Sequence, residues 1–490
     1  MYVVLLLALT PLLCAIAPAS AEPLDLATVI RTTLQQHPDM PLSQLQVRFA
    51  RVDQQRIHGL LDPQISASLL TTDDENPSNS KFNPIRSAIS RQIKGEISKP
   101  LENGDTVILG MDYSQTNLKF EFSSAAFARF DPFYHNQIDL TYRHPLLRGS
   151  DRPDFGQELK AALADESAAN LQRAVVARNL TRQAIQFFFD VVVDETNRKL
   201  SADTVERAEK LVLYQKSREK FGLIEKADRL QAEALLATRQ LELARAEANL
   251  IQDRTALNRL MLRDPEIPLS ADYKQRLYST LPDLKQAIET ASGQRPELLA
   301  ISARLEAAEA RLQVANDRDH AQLDIVGQLG SRSLSGSYGT SLKQGFSLSD
   351  RFASIGIEFS DTITNNAAKA AIRKAALERE QIFMERRQTY ELIKDDVAKT
   401  LSRIRTGRKT YAAAEHRQAA EQAKFYAELD RYRESRSETS TMIQFEGDLR
   451  AAEIEAALRR IALLRDQRQL SWVQGTLARE LGIAMPGSQP

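Results

Sequence analysis

The chain reads as a mixed α and β protein in which one unit is used twice: helix, strands, very long helix, polar turn, helix. Three observations predict this. Two runs, Asp154–Phe221 and Asn365–Arg433, contain no proline and one glycine each, Gly156 and Gly407; as helices each would extend about 100 Å at ~1.5 Å per residue. Short runs of strict apolar/polar alternation, the mark of half-buried strands, precede both. A shift of 258 positions then lays Leu26, Ile30, His37-Pro38-Asp39, Ala50 and Gln64-Ile65 onto Leu284, Ile288, Arg295-Pro296-Glu297, Ala308 and Gln322-Leu323.

Composition agrees. The 490 residues carry 65 Lys+Arg against 65 Asp+Glu, so the net charge of +0 gives no basic surplus for nucleic acid, and no nucleic-acid partner is expected. With 42% hydrophobic and 27% charged residues the chain can fold, but 19 Gly and 18 Pro leave few turns, so its elements must be long.

In chain order, residues 1–21 read as a signal peptide. Val3–Leu9 is an apolar core and Ala19-Ser20-Ala21 a small-x-small cleavage site, although the segment before the core lacks Lys or Arg. The one cysteine, Cys14, falls inside it and is preceded by Leu13 where a lipoprotein signal needs a small residue. The mature chain is therefore expected to begin near Glu22, exported and free of thiols. Residues 22–62 form the first-repeat N-terminal helix and 63–147 the first-repeat strands. There Val107, Leu109, Met111 and Tyr113 alternate with polar neighbours, as do Ile138, Leu140 and Tyr142; Pro63–Thr72 and Gln92–Lys99 are weaker strands. An extra hairpin near 92–117, centred on Glu102-Asn103-Gly104-Asp105, either adds strands or folds over their rim. Asp73–Arg91, Asn117–His135 and Leu334–Asp350 read as exposed loops.

Residues 148–263 hold the first pair of long helices. On Asp228–Leu262 the heptad seam Leu230, Ala234, Ala237, Leu241, Ala244, Ala248, Ile251 runs beside Leu236, Leu243, Leu250, Leu257, a face wide enough for two neighbours. Residues 264–295 form a linker, 296–321 the second-repeat helix and 322–362 its strands, with Leu323, Ile325, Leu329 and Ala353, Ile355, Ile357, Phe359 alternating. Residues 363–482 are the second pair of long helices, the last over Met442–Leu481, and 483–490 a C-terminal tail. A second match lays Phe221-Gly222 through Asp228, Leu230 and Glu233 over Glu434-Ser435 through Thr441, Ile443 and Glu446.

No run reaches the ~18 apolar residues of a membrane-spanning helix. One-faced strands suit a soluble sandwich or a transmembrane barrel, and the heptads suit an ordinary helical bundle or a rod-like coiled coil. Catalytic motifs are missing: there is no His-Glu-x-x-His, phosphate loop, cysteine cluster or Gly-x-Ser-x-Gly, and the 6 histidines are scattered. Neither catalytic residues nor cofactor or metal ligands are expected.

Arg295-Pro296-Glu297-Leu298 followed by Ala303–Leu312, His144-Pro145-Leu146-Leu147-Arg148-Gly149 at a strand-to-helix junction, and Phe221-Gly222 leading to Asp228 and Leu230 carry a resemblance. In this order, over the whole mature chain, the sequence resembles the TolC-like family of outer-membrane efflux and secretion ducts. The resemblance implies a homotrimer whose strands close one β-barrel in outer-membrane lipid and whose long helices form a periplasmic α-barrel tunnel. It implies an exit duct for a tripartite efflux pump or type I secretion system, partnered by a periplasmic adaptor and, indirectly, an inner-membrane transporter. Open edges are forbidden in lipid, and few strands per chain cannot close a channel alone, so physics also favours several copies. The alternative is an exported coiled-coil scaffold without a pore.

By the same resemblance, Asp228 and Tyr432 from opposite repeats match a polar gate at the periplasmic tip. The adaptor is expected at Phe221–Asp228 and Tyr432–Met442, with Phe221, Gly222, Ser435 and Thr441 marking the tips. Asp228 also suits an N-cap for a helix starting near Arg229. Thr441 and Gln444 replace the carboxylates of an acidic ring in the second turn; Glu225 or Glu438 are the acids nearest to substituting for them.

Overall fold

The computed structural model describes residues 22–75, 85–120, 131–271, 273, 277–278, 280–347 and 350–485. The expected signal peptide with Cys14 lies outside them, as do the last residues of the tail and parts of the three expected loops.

In order, the elements are β1 Glu22–Leu24, α1 Leu26–Gln36, α2 Asp39–His58, β2 Gln64–Asp74, β3 Ile85–Pro100, β4 Thr106–Phe120, β5 Phe133–Pro145, α3 Pro153–Lys220 and α4 Lys226–Leu260. The second half follows with β6 Leu269–Ala271, α5 Leu284–Gln294, α6 Pro296–Asp317, β7 Gln322–Ser335, α7 Tyr338–Phe346, β8 Arg351–Ser360, α8 Asn366–Arg433, α9 Thr439–Gln474 and α10 Leu477–Glu480. Helices α3 and α8 are both 68 residues long, and α4 and α9 have 35 and 36.

The chain divides into two compact units. Of the described residues, one comprises those from Glu22 to Gln44, Leu171–Leu298 and those from Gln388 to Met485. Its core gathers Ile185, Phe188 and Phe189 of α3, Leu257 and Leu260 of α4, Ile393, Leu401 and Ile404 of α8, and Leu463 and Leu470 of α9. Phe189 meets the Tyr273 ring edge-on at 4.9 Å, a geometry aromatic quadrupoles favour. β1 and β6 pair in parallel beside this core, bringing the start of the first repeat to the linker before the second.

The motif Arg295-Pro296-Glu297 has its physical reason here. Arg178 of α3 is buried, with its guanidinium 4.0 Å from the Trp472 ring centroid. It donates to the Trp472 carbonyl at 2.9 Å, and the Trp472 indole N–H returns a bond to the Arg178 carbonyl at 2.8 Å. Glu297 pairs with Arg178, while Arg295 donates to the Val473 carbonyl at 2.7 Å and reaches Asp396 at 3.2 Å. Burial pulls Arg178 down to about 10, against the nearby Glu297 charge that raises it.

The second unit, Leu45–Asn170 with Leu299–Arg387, holds a six-stranded antiparallel sheet in the order β2-β3-β4-β5-β7-β8. Helices α3 and α6 touch within it through Ala161, Ala164, Ala307 and Ala310, small residues that permit a close approach.

Four expectations change. Within Leu334–Asp350, expected to be an exposed loop, β7 continues to Ser335 and α7 forms a helix laid on the sheet; Tyr338 packs edge-on against Tyr113 and Tyr134. The other two expected loops are shorter than read, because β2 runs to Asp74, β3 starts at Ile85, β4 runs to Phe120 and β5 starts at Phe133. The last long helix stops at Gln474 rather than Leu481. Gly475 takes a left-handed conformation, φ 77, and Gly475 and Thr476 donate back to the carbonyls of Trp472 and Ser471, a glycine C-cap. The N-cap of α4 is Glu225, so Asp228 is not the cap; it sits in the first helical turn, where a carboxylate complements the helix dipole.

Candidate functional site

Two places concentrate what this fold can do: the paired turns between long helices, and the sheet.

The turns share one backbone design. After α3, Gly222 adopts φ 70, donating to the Glu219 carbonyl at 2.9 Å while Leu223 donates to Arg218 at 3.0 Å. After α8, Ser435 adopts φ 63, donating to the Tyr432 carbonyl at 3.0 Å while Arg436 donates to Arg431 at 2.9 Å. Both following helices start from an extended glutamate, Glu225 and Glu438, whose side chain makes no cap bond. Side chains differ more than backbone. The first turn exposes Phe221 and Leu223, 72% and 63% accessible, whereas Glu434, Ser435 and Arg436 of the second are exposed and polar. Thr441 is half-buried in the first turn of α9.

Tyr432 is buried. Gln215 of α3 donates its side-chain amide to the Tyr432 hydroxyl and, at 2.7 Å, to the Thr439 hydroxyl; the two hydroxyls are 3.1 Å apart. Among the described residues no hydrogen bond joins Asp228 to Tyr432. Asp228 acts on it through charge: burial chiefly raises the Tyr432 phenol above its ordinary value, and the Asp228 carboxylate adds to the rise. Arg218 makes the other link, donating at 2.9 Å to the Ser435 hydroxyl of the second turn. Beside this cluster lies a cavity of about 440 Å³ lined by Tyr214, Leu235, Phe425, Tyr432, Met442 and Glu446.

A charge network continues along these helices. Arg239 of α4 and Glu446 of α9 pair at 2.5 Å with both side chains buried. Arg239 also reaches Glu242 at 3.1 Å, Arg207 reaches Glu453 at 2.8 Å, and Arg450 reaches Glu242 at 2.9 Å. Burial works to lower Arg239, but its bonds to Glu446 and Glu242 outweigh that and hold it above its ordinary value. First-repeat and second-repeat helices are thus joined by charges that cannot be parted cheaply. Sequence reasoning missed Gln215, Thr439 and this network, because a glutamine or arginine in a highly charged helix reads as a solvated face. A weak signal was present: Arg239 falls four residues after the buried Leu235, on the packed side of α4.

Asp190 and Asp194 of α3 crowd Asp253 of α4. Burial first, then the Asp253 charge and a hydrogen bond shared with it, push Asp194 up to about 6.

The sheet is two-faced across its whole width. One row runs Ile65, Ile97, Leu109, Leu140, Leu329, Ala353, each paired with the next. Its neighbours on that face include Leu69, Ile93, Ile355, Ile357 and Phe359, and these apolar side chains are exposed, Ile65 to 78% and Ile355 to 83%. On the opposite face Ser68, Lys94, Asp112, Gln137 and Arg332 form a row. Polar bonds knit it: Gln92 to Asp112 at 2.8 Å, Gln328 to Asp139 at 2.8 Å, and Arg143 to Asp324 and Glu358 at 2.7 and 2.6 Å.

No family model and no curated protein matches the chain. Solved structures do. The outer-membrane channel OprN superimposes with a TM-score of 0.67 at 17% identity, over 92% of this chain and 90% of that one. The chain has the fold of an outer-membrane channel subunit. The CmeC outer membrane channel of Campylobacter jejuni gives 0.62 at 14% identity, over 95% of this chain and 87% of that chain. The open state of the Neisseria gonorrhoeae MtrE outer membrane channel gives 0.61 at 18%, over 92% and 89%. The expected fold class, a strand region continued into long helices with each half repeating the other, is therefore the observed one. At such identities the likeness speaks for the fold; the role of each residue rests on the geometry above.

Proposed function

We propose that the chain is the exit-duct subunit of a trans-envelope export machine: a homotrimer in the outer membrane, non-enzymatic, reached by a periplasmic adaptor and, through it, an inner-membrane transporter. The observation that carries this is the apolar face spanning all six strands. A soluble protein rarely exposes so large a continuous apolar patch, whereas lipid requires one. The bare seam on α4 supports self-association. Leu230, Ala234, Ala237, Leu241, Ala244, Ala248 and Ile251 are all exposed within one chain, while the adjoining Leu250 and Leu257 are buried. A heptad stripe left open by its own chain fits the same helix region of the next copy. A poreless scaffold would account for the seam but not for the sheet.

In this reading the exposed Phe221 and Leu223 receive an apolar adaptor tip, with Gly222, Ser435 and Thr441 shaping the two turns. Tyr432 and Asp228 belong to the closed entrance: Tyr432 through its bonds to Gln215 and Thr439, Asp228 through charge. Cell fractionation tests the proposal. The protein should sediment with outer membranes and run as a trimer in detergent, and cysteines at Phe221 or Leu223 should crosslink to an adaptor. Recovery as a soluble monomer would overturn the duct and favour the scaffold.

A further inference from the structure

The two repeats are offset by different amounts in their two parts. From β2 to β7 the offset is 258, Gln64 to Gln322; from α3 to α8 it is 213, Pro153 to Asn366. The first half thus carries 45 residues more between its first strand and its long helix. The β3–β4 hairpin, Ile85 to Phe120, accounts for most of them. It neither hangs on the rim nor stands apart, since β3 pairs with β2 over eleven consecutive residues and β4 with β5 over another eleven. Among the described residues the wall of one copy is therefore six strands wide, four from the first repeat and two from the second.

Resting on the trimeric-duct reading, we propose that β8 of one copy pairs antiparallel with β2 of the next, so that three copies close an eighteen-stranded barrel. Four features of the two edges support it. Every neighbouring pair in the sheet is antiparallel and the strand number is even, so β2 and β8 run in opposite directions and can pair across copies without a parallel mismatch. The edges match in length, β2 with 11 residues and β8 with 10, while the four inner strands have 13 to 16; about 9–11 residues cross a bilayer. Their apolar faces align, Ile65, Ala67 and Leu69 on one and Ala353, Ile355, Ile357 and Phe359 on the other. Neither strand carries the lysine, proline or bulge that protects a free edge from pairing.

The consequence is calibre. At about 4.8 Å between strands and a tilt of about 40°, eighteen strands give a ring roughly 36 Å across between backbones, against roughly 24 Å for twelve. The polar face, with Lys94, Asp112, Asp139, Arg143 and Asp324, would line it, a mixed-charge wall suited to large hydrated cargo.

The test pairs crosslinking with imaging. Cysteines are placed at Ser66 or Ser68 on β2 and at Ser354 or Gly356 on β8, and the purified duct is oxidised; wild-type protein is imaged by electron microscopy in detergent. Covalent trimers together with a ring near 36 Å are expected. A ring near 24 Å would overturn the proposal even with trimer crosslinks, because the β3–β4 hairpin would then lie outside the wall. Disulfides confined to single chains would overturn it too, because β2 and β8 would then meet within one copy. These failures leave the duct reading standing so long as wild-type protein still conducts; protein that neither inserts into membranes nor conducts would remove the duct itself.

Discussion

The two repeats have kept their helices and changed their strands. The long helices match to the residue in α3 and α8, to within one in α4 and α9, and in the hydrogen bonds of the turns between them. The strand segments differ twofold, four against two. Packing explains the contrast. A residue added to one long helix rotates every later side chain by about 100° and unpicks its seams, and here both helix pairs meet in one core and one charge network. A hairpin inserted into an antiparallel sheet brings its own pairing partner and repeats the same alternation, so its neighbours need not move. Insertion is tolerated where periodicity is local and refused where it is shared.

Breaking the charge network should give the largest effect. Glu446→Ala leaves Arg239 buried without its main partner, and a loss of roughly 3–5 kcal/mol is expected. Removing Glu233 from its solvent-screened pair with Arg229 should cost far less. Chemical denaturation of the two variants checks the ordering; equal losses would show that the network does not join the repeats.

The turns sharpen the comparison, because one backbone is made by two residues. Gly222→Ala should destabilise by about 1–2 kcal/mol, the cost of a Cβ in the left-handed region. Ser435→Gly should stabilise by up to about 1 kcal/mol for the same reason. Opposite signs in thermal melts are the expected result.

A smaller, pH-dependent effect is expected at Asp194. Its folded pKa of about 6 lies above the ordinary aspartate value of 3.8, so the native state holds that proton more tightly than the unfolded chain does. Its stabilising contribution is complete below about pH 3.8 and is lost as pH rises through about 6. Asp194→Asn should therefore raise Tm at pH 7.5, with the gain shrinking as pH falls below 6. A gain independent of pH would assign the effect to something other than the carboxylate cluster.

Much of this was legible in the chain. Proline-free runs located α3 and α8 to within a residue, since helices of that length tolerate few breakers. Alternation located β4, β5, β7 and β8, and the 258-residue shift found the repeat. Less was legible where signals were weak or shared. β2 and β3 alternate poorly because Ser66, Ser68, Gly95 and Ser98 dilute the pattern, and α7 is a short helix whose Gly339, Ser341 and Gly345 read as loop; Ser341 and Gly345 are buried against the sheet. Around Tyr432 the residue itself was named only through the family resemblance. Gln215 and Thr439 were not, because their role depends on three helices meeting and no spacing within one helix encodes that.

Planar-bilayer recording from purified full-length protein tests the central claim most directly. The account predicts stepwise single-channel currents from the trimeric fraction, with Tyr432→Phe opening more often than wild type because Gln215 and Thr439 lose their shared partner. A water-soluble monomer that passes no current would contradict it.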